Sequence, residues 1–402
     1  MILTGAANPR ERTRMRNLLM AATALVAMMT TAMVAGPVRG VTDTEIIIGS
    51  HTDLSGVTVA WGVNNSNAYR MAFDEINAKG GIHGRKIRYI VEDNQYQVPR
   101  AVQAANKLLN RDNVFLLVAN DGTPMNNAVL PEQLEKNVPN MFPLTSARSM
   151  YEPYNRLKFG LLSSYYDQMR AGVKYFVEQR GKKTLCTMAQ DSDFGRDNMD
   201  GVHDQVKAMG LKLAAETLHK PTDTDFSASV ARLRDAKCDL VLMGSIVRDT
   251  TLIISAVRKI GWDVDLMGAV ASYDSAVAEV PGGANDGYYA MTAAQFAYPD
   301  DPRPAVGDFA RKYKTLYGRD PNFAAQIGDT GARLLIQALQ NAGRELNVDS
   351  FVAGMEAIRD YRDAFAPPLN YGPKVRVGST SSFLAQVKGG RWTLAAPDAI
   401  GY

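Results

Sequence analysis

The densest group of side chains with chemical capacity is the acidic run Asp191, Asp193 and Asp197, within QDSDFGRDNMDGV (190–202). Carboxylates at such spacing suggest a cation site, but a calcium loop also needs a glycine and a later glutamate that are missing here. The run reads instead as a turn and a helix start, where negative charge is favourable. Gly80, Gly81 and Gly84 read as a helix stop followed by a turn, with no phosphate implied. The chain has no G-x-S-x-G elbow, phosphate-binding P-loop, H-E-x-x-H, or G-x-G-x-x-G after a strand. With no nucleophile–base pair to drive turnover, it is expected not to be an enzyme. Four scattered histidines and two cysteines make no metal cluster, so neither a metal nor a cofactor is expected. Cys186 and Cys238 are compatible with a disulfide in an oxidising compartment, or with two buried thiols.

The N-terminal forty residues carry a different message. Arg10, Arg12, Arg14 and Arg16 precede an uncharged stretch at 18–38, and Val34, Ala35 and Gly36 offer small residues for cleavage. That order is the order of a secretory signal, cleaved between about residues 35 and 41. The rival is an uncleaved anchor, but the stretch is rich in Ala and Thr, and Pro37 ends it early. Export to the periplasm is therefore expected. The whole chain has 45 Lys+Arg against 42 Asp+Glu. Without residues 1–40 the counts are 40 and 41. The apparent basicity belongs to the leader, so no nucleic-acid partner is implied.

The elements that must position any site alternate from residue 44 onward. Short apolar strands at 45–50, 86–93 and 114–119 are interleaved with helical patterns at 61–79, 99–110 and 124–136, and a strand near 138–143 follows. The uninterrupted run VFLLVA (114–119) suits a parallel sheet covered on both faces. The pattern then repeats, with helices at 167–180, 197–209, 226–235 and 249–260 around strands at 183–189, 211–217 and 239–244. Two βαβα runs predict an α/β protein of two doubly wound parallel-sheet lobes. Ligands of such sheets lie at the carboxyl ends of the strands. Three helices are expected after residue 300, the clearest at 323–342 with one apolar face. A hairpin closes the chain at 382–394.

At this level the chain resembles the type I periplasmic binding proteins of ABC importers, in particular the branched-chain amino-acid (Leu/Ile/Val) binding group. The stretches that carry the resemblance are IIIGSHTDLSGVTVAWG (46–62), AFDEINAKGGIHGRKIRYIVEDN (72–94), AANKLLNRDNVFLLVAN (104–120), QDSDFGRDNMDGV (190–202) and DLVLMG (239–244). The resemblance implies two lobes joined by three crossings, near residues 156–160, 285–289 and 367–371. Lobe 1 would comprise 42–157 plus 288–367, and lobe 2 158–287 plus 368–402. It also implies a small-molecule ligand, a permease and ATPase subunits as partners, and a monomeric chain.

Aligned residue by residue, the resemblance places a ligand carboxylate at two turns of lobe 1. The first is NDGTP (120–124), with Asp121, Gly122 and Thr123. The second is FPLTSAR (142–148), with Leu144, Thr145 and Ser146. Hydroxyl and backbone N–H donors at a helix start bind an anion without a full counter-charge, although such residues also serve as helix caps. Trp61 and Phe194 fall at aromatic positions facing the ligand. On lobe 2 the chain departs from the family. Val270 stands where an amine-binding acid belongs, and Ile246 where a tyrosine belongs. A neutral valine holds no ammonium group, and burying that group unpaired costs several kcal/mol. The expected ligand is therefore a carboxylate with an apolar or aromatic body. The alternative is an amino acid whose amine meets Asp53 or Asp121. Arg248 is a candidate for a second anionic group, and Tyr165, Tyr166 and Tyr273 are candidate pocket hydroxyls. A ligand sensor serving a separate membrane receptor is an alternative of another class.

Overall fold

The computed structural model describes residues 37–402. The basic and apolar stretch read as an export leader lies outside those residues except at its end. No helix among the described residues is long and apolar enough to cross a membrane.

The first half builds one parallel sheet. Strand β1 (Glu45–Thr52) leads to helix α1 (Val59–Ala78), β2 (Lys86–Asp93) to α2 (Val98–Asn106), and β3 (Leu116–Val118) to α3 (Thr123–Glu135). Two-residue strands β4 (Asn140–Met141) and β5 (Lys158–Phe159) complete it, in the order β2-β1-β3-β4-β5. Its central residues are almost wholly apolar, and Ile48, Leu116 and Leu117 are fully buried. That is what a sheet covered on both faces requires.

The second sheet follows the same logic. It is fed by α4 (Tyr165–Glu178), β6 (Leu185–Gln190), α5 (Asp193–Ala208), β7 (Ala215–His219), α6 (Ser227–Asp235), β8 (Leu240–Gly244), α7 (Val247–Lys259), β9 (Asp265–Gly268), the single turn α8 (Ser275–Ala278) and β10 (Tyr289–Thr292). Helices α9 (Pro304–Tyr317), α10 (Phe323–Asn341) and α11 (Val348–Glu356) come next, and the hairpin β11 (Phe383–Lys388) and β12 (Arg391–Leu394) ends the chain. The sheet order is β12-β11-β10-β9-β8-β6-β7. Only the hairpin side is antiparallel, where β11 pairs with β10 and β12. Cys186 on β6 and Cys238 just before β8 form a disulfide, with their Cα atoms 5.9 Å apart.

Helix α10 lies along α1. Gly331 makes the approach possible, because a Cβ there would fall 2.2 Å from the Tyr69 hydroxyl. The chain passes between the sheets later than the resemblance implied. Strand β5 still belongs to the first sheet, and β10 to the second. Tyr371 still packs on Phe142 after β4 and Phe159 of β5, with ring centroids 6.1 and 6.0 Å away. Strands of two to four residues carry no periodicity, which is why the boundaries were not readable.

Both sheets reverse their order of growth at one point, between β1 and β3 and between β6 and β8. The loops leaving those four strands are among those that line the cleft described next.

Candidate functional site

A cavity of about 910 Å³, its open mouth included, is lined by residues from both sheet systems. The first system contributes Asp121, Gly122 and Thr123 after β3, and Leu144, Thr145 and Ser146 after β4. The second contributes Phe194 in the first turn of α5, Ile246 before α7, and Val270 after β9. Trp61 on α1 closes one side. These ten residues, all singled out in the sequence, thus surround one space.

Arg248 and Tyr273 lie elsewhere. Arg248 folds back onto its neighbour Asp249, with Nη2 2.6 Å from Oδ1 and 2.6 Å from the Pro221 carbonyl. Its guanidinium is consumed by those acceptors. Tyr273 is buried, its ring 4.9 Å from that of Phe323 and 4.7 Å from that of Trp392, and its hydroxyl accepts the Phe296 N–H. Of the further candidates, Tyr165 lines the cavity. Tyr166 instead donates to Asp204 (2.7 Å). Asp53 sits behind the wall, accepting the Thr58 hydroxyl at 2.8 Å.

Local backbone geometry explains how the polar end is made. Gly122 has φ 90°, a left-handed conformation, and a Cβ there would meet Met125 Cε at 2.0 Å. Only glycine lets the chain turn from β3 into α3 so tightly. No side chain caps α3, so its first-turn N–H groups face the cavity end with the positive end of the helix dipole. Thr123 is therefore not a cap. Its Oγ1 lies 2.6 Å from Thr145 Oγ1, and the Ser146 carbonyl accepts the Tyr165 N–H at 2.9 Å. Burial pushes the Tyr165 hydroxyl up to about 12, so it stays a neutral donor.

The remaining wall is apolar, with Phe142, Met150, Leu161, Phe323 and Ile327 among its members. Among the described residues, no Lys, Arg or His lines the cavity, and Asp121 is its one carboxyl group. Two fully buried polar side-chain atoms on the lining lack partners among the described residues. They are Trp61 Nε1, a donor, and Asn65 Oδ1, an acceptor. A buried polar group left unpaired costs about 1–3 kcal/mol, so each is a place for ligand or water.

Sequence reasoning missed Asn65, Phe323 and Ile327, which helices α1 and α10 bring to the cavity. The apolar face of α10 was visible, but nothing in it told core from cavity. Tyr96 was also missed. It lines the cavity from a backbone at φ 54°, a conformation that the local residue types do not announce.

Residues 45–391 match the family described as periplasmic binding proteins. The chain belongs to that family. The binding protein is 24% identical over 364 residues to the Leu/Ile/Val-binding protein homolog 8 of Brucella suis, covering 86% of this chain and 87% of that one. A fatty acid ABC transporter substrate-binding protein from Thermomonospora curvata has the same fold, with a TM-score of 0.80 and 22% identity, over 90% of this chain and 94% of the other. So does a branched chain amino acid ABC transporter protein from Thermus thermophilus with bound valine, with a TM-score of 0.81 and 16% identity, over 90% and 98% of the two chains.

In the binding protein, polar contacts also bridge the cleft. Arg148, after β4, pairs through Nε with Asp197 Oδ1 on α5 and through Nη2 with Asp200 Oδ2, each at 3.0 Å. Its guanidinium lies 3.7 Å from the centre of the Tyr166 ring. Asn127 Nδ2 donates to Asp193 Oδ2 at 2.9 Å, and Asn322 Nδ2 to Asp274 Oδ2 at 2.6 Å. Asp193 and Asp197 of the acidic run thus work as cross-cleft acceptors. Burial still pushes the Asp197 carboxyl up, with Arg148 opposing the shift.

Proposed function

We propose that the protein is the extracytoplasmic solute-binding component of an ABC importer, monomeric and periplasmic. It captures a small carboxylate with an apolar or aromatic body by closure of two lobes. A membrane permease and cytoplasmic ATPases are its partners. The lobes are residues 42–157 with 288–367, and 158–287 with 368–402, apart from the strands at their margins. The observation that carries the reading is the division of the cavity. Neutral donors at Thr123, Thr145 and Ser146 gather at an uncapped helix start, opposite the apolar wall of Phe194, Ile246 and Val270. Donors of that kind hold an anion, and the wall offers an ammonium group nothing. The Thermomonospora protein, a fatty acid ABC transporter substrate-binding protein of the same fold, supports the same ligand class.

A second reading, a branched-chain amino acid, is favoured by one observation. Asp121 lies in the wall and would supply the acid that Val270 does not. Thermal-shift and calorimetric titration with benzoate, octanoate and leucine separates the two. Tight binding raises the melting temperature by mass action. The expected result is a shift with the acids and none with leucine. A leucine shift alone selects the second reading.

Closure brings Arg148 onto Asp197, so the pair stabilises the ligand-bound form and not an open one. Arg148→Ala is expected to weaken binding about five- to tenfold, since a half-buried ion pair contributes roughly 1 kcal/mol. The wild-type affinity should also fall with added salt more than that of the variant. Calorimetry at two salt concentrations checks both.

A further inference from the structure

Asp121 Oδ2 lies 2.7 Å from Thr58 Oγ1, and the same hydroxyl lies 2.8 Å from Asp53 Oδ2. A threonine hydroxyl carries one proton and donates to one carboxyl group only. Two ionised carboxylates around it would leave one oxygen–oxygen contact without a hydrogen, between like charges and away from water. The proton count is completed when one carboxyl group is protonated and donates to Thr58. Asp53 accepts the backbone N–H groups of Ser55, Gly56 and Thr58 besides the hydroxyl. Each Asp53 oxygen thus already accepts two donors, Oδ1 from Ser55 and Gly56 and Oδ2 from Thr58, which leaves no oxygen there free to carry a proton. The extra proton therefore belongs to Asp121. Burial pushes the Asp121 carboxyl up to about 7, and the Asp53 charge adds to the effect.

Three other titratable groups around Asp121, His51, Tyr165 and Tyr96, keep one charge between pH 5 and 9. Burial lowers His51 of β1 to about 3 and raises Tyr165 of α4 to about 12. Tyr96, after β2, is raised well above the usual phenol range, first by burial and then by Asp121, Tyr165, Asp249 and Asp53. Asp249 of α7 is tied to Arg248 at 2.6 Å and to His219 Nε2 at 3.2 Å.

We propose that Asp121 determines the charge the cavity accepts, admitting a carboxylate only while it is itself protonated, so that an organic acid and one proton bind together. This inference rests on the carboxylate reading above. Ionised, Asp121 places an unpaired negative charge in the space the ligand carboxylate enters, and no basic side chain on the lining offsets it. Protonated, it leaves the neutral donors of Thr123 and Ser146 to act alone.

The test is titration of benzoate and octanoate from pH 5.5 to 8.5 into the wild-type protein and Asp121→Asn. The wild-type affinity is expected to fall by up to about tenfold for each pH unit above 7, the limit for one coupled proton, and the Asn variant to show no such slope. A flat wild-type profile, or an equal slope in the variant, overturns the proposal. Melting of the unliganded proteins gives an independent readout. Between roughly pH 4 and 7 the unfolded chain has released a proton that folded Asp121 keeps, so wild-type stability falls as pH rises. The advantage of Asp121→Asn in melting temperature should grow over that window and level off above it. A constant offset from pH 5 to 8 overturns the proposal whether or not an acid binds. If melting behaves as expected and neither acid binds at any pH, the carboxylate reading fails and the proton on Asp121 stands.

Discussion

Replacing Thr123 and Ser146 together by alanine lowers the affinity for benzoate or octanoate by about 100-fold, while the unliganded protein melts close to the wild-type temperature. A hydrogen bond to a charged group contributes roughly 1.5–3 kcal/mol, and two donors on one carboxylate are not additive, so the pair is worth about 3 kcal/mol. The fold should tolerate the change. The one side-chain bond of Thr123 is to Thr145 Oγ1 at 2.6 Å, and Thr145 has a second donor in the Ala147 N–H at 3.3 Å. Ser146 supports the fold through its backbone carbonyl, which accepts the Tyr165 N–H and survives the substitution. The residual affinity reports the helix start, since the N–H groups of α3 remain. Calorimetry on the two single variants and the double apportions the donors. Wild-type affinity in the double would remove the carboxylate from this end of the cavity.

How far the sequence speaks depends on the length over which a pattern can run. Helix α10 was readable almost to the residue, 323–342 against Phe323–Asn341, because nineteen residues hold five turns of one apolar face. The terminal hairpin was readable from Gly389 and Gly390, both at positive φ. Strand β10 was not, although it sits between β9 and β11 in the second sheet, because YAMT is too short for any period to emerge. Helix α5 begins four residues earlier than its pattern suggested, because Ser192 caps it by accepting the Gly195 N–H. That shift puts Phe194 on the helix's first turn and its side chain on the cavity. The site was legible only where a turn follows a strand and resembles a known motif. Val270 and Tyr273 show the limit. Three residues apart, both follow β9, yet the short turn Val270–Ser272 sends Val270 to the cavity and Tyr273 into the core. The Asp53–Thr58–Asp121 contact joins groups up to 68 residues apart, with no local signature.

Val270→Glu is expected to abolish binding of apolar acids at pH 8, by more than about 100-fold, and to open the cavity to leucine. Val270 is 5% exposed on the wall contributed by the second sheet, with Ile246 and Phe194, and its backbone N–H is held by Gln168 Oε1 at 2.9 Å. That bond fixes the direction of the side chain and does not involve it, so the substitution changes the wall and keeps the turn. Among the described residues, a new carboxylate there finds no Lys, Arg or His on the lining. Two like charges roughly 5 Å apart at an effective dielectric constant of about 20 repel by about 3 kcal/mol, which corresponds to a factor of about 100. Lowering the pH should restore part of the acid binding, because desolvation raises the pKa of the new carboxyl group and neutralises it. Val270→Gln separates size from charge. If Gln and Glu lose acid binding equally, steric filling explains the effect. If only Glu loses it and leucine then binds, the charge of this one position decides between an acid and an amino acid. Acids bound by Val270→Glu as tightly as by the wild type would mean that the ligand never meets the wall at this residue.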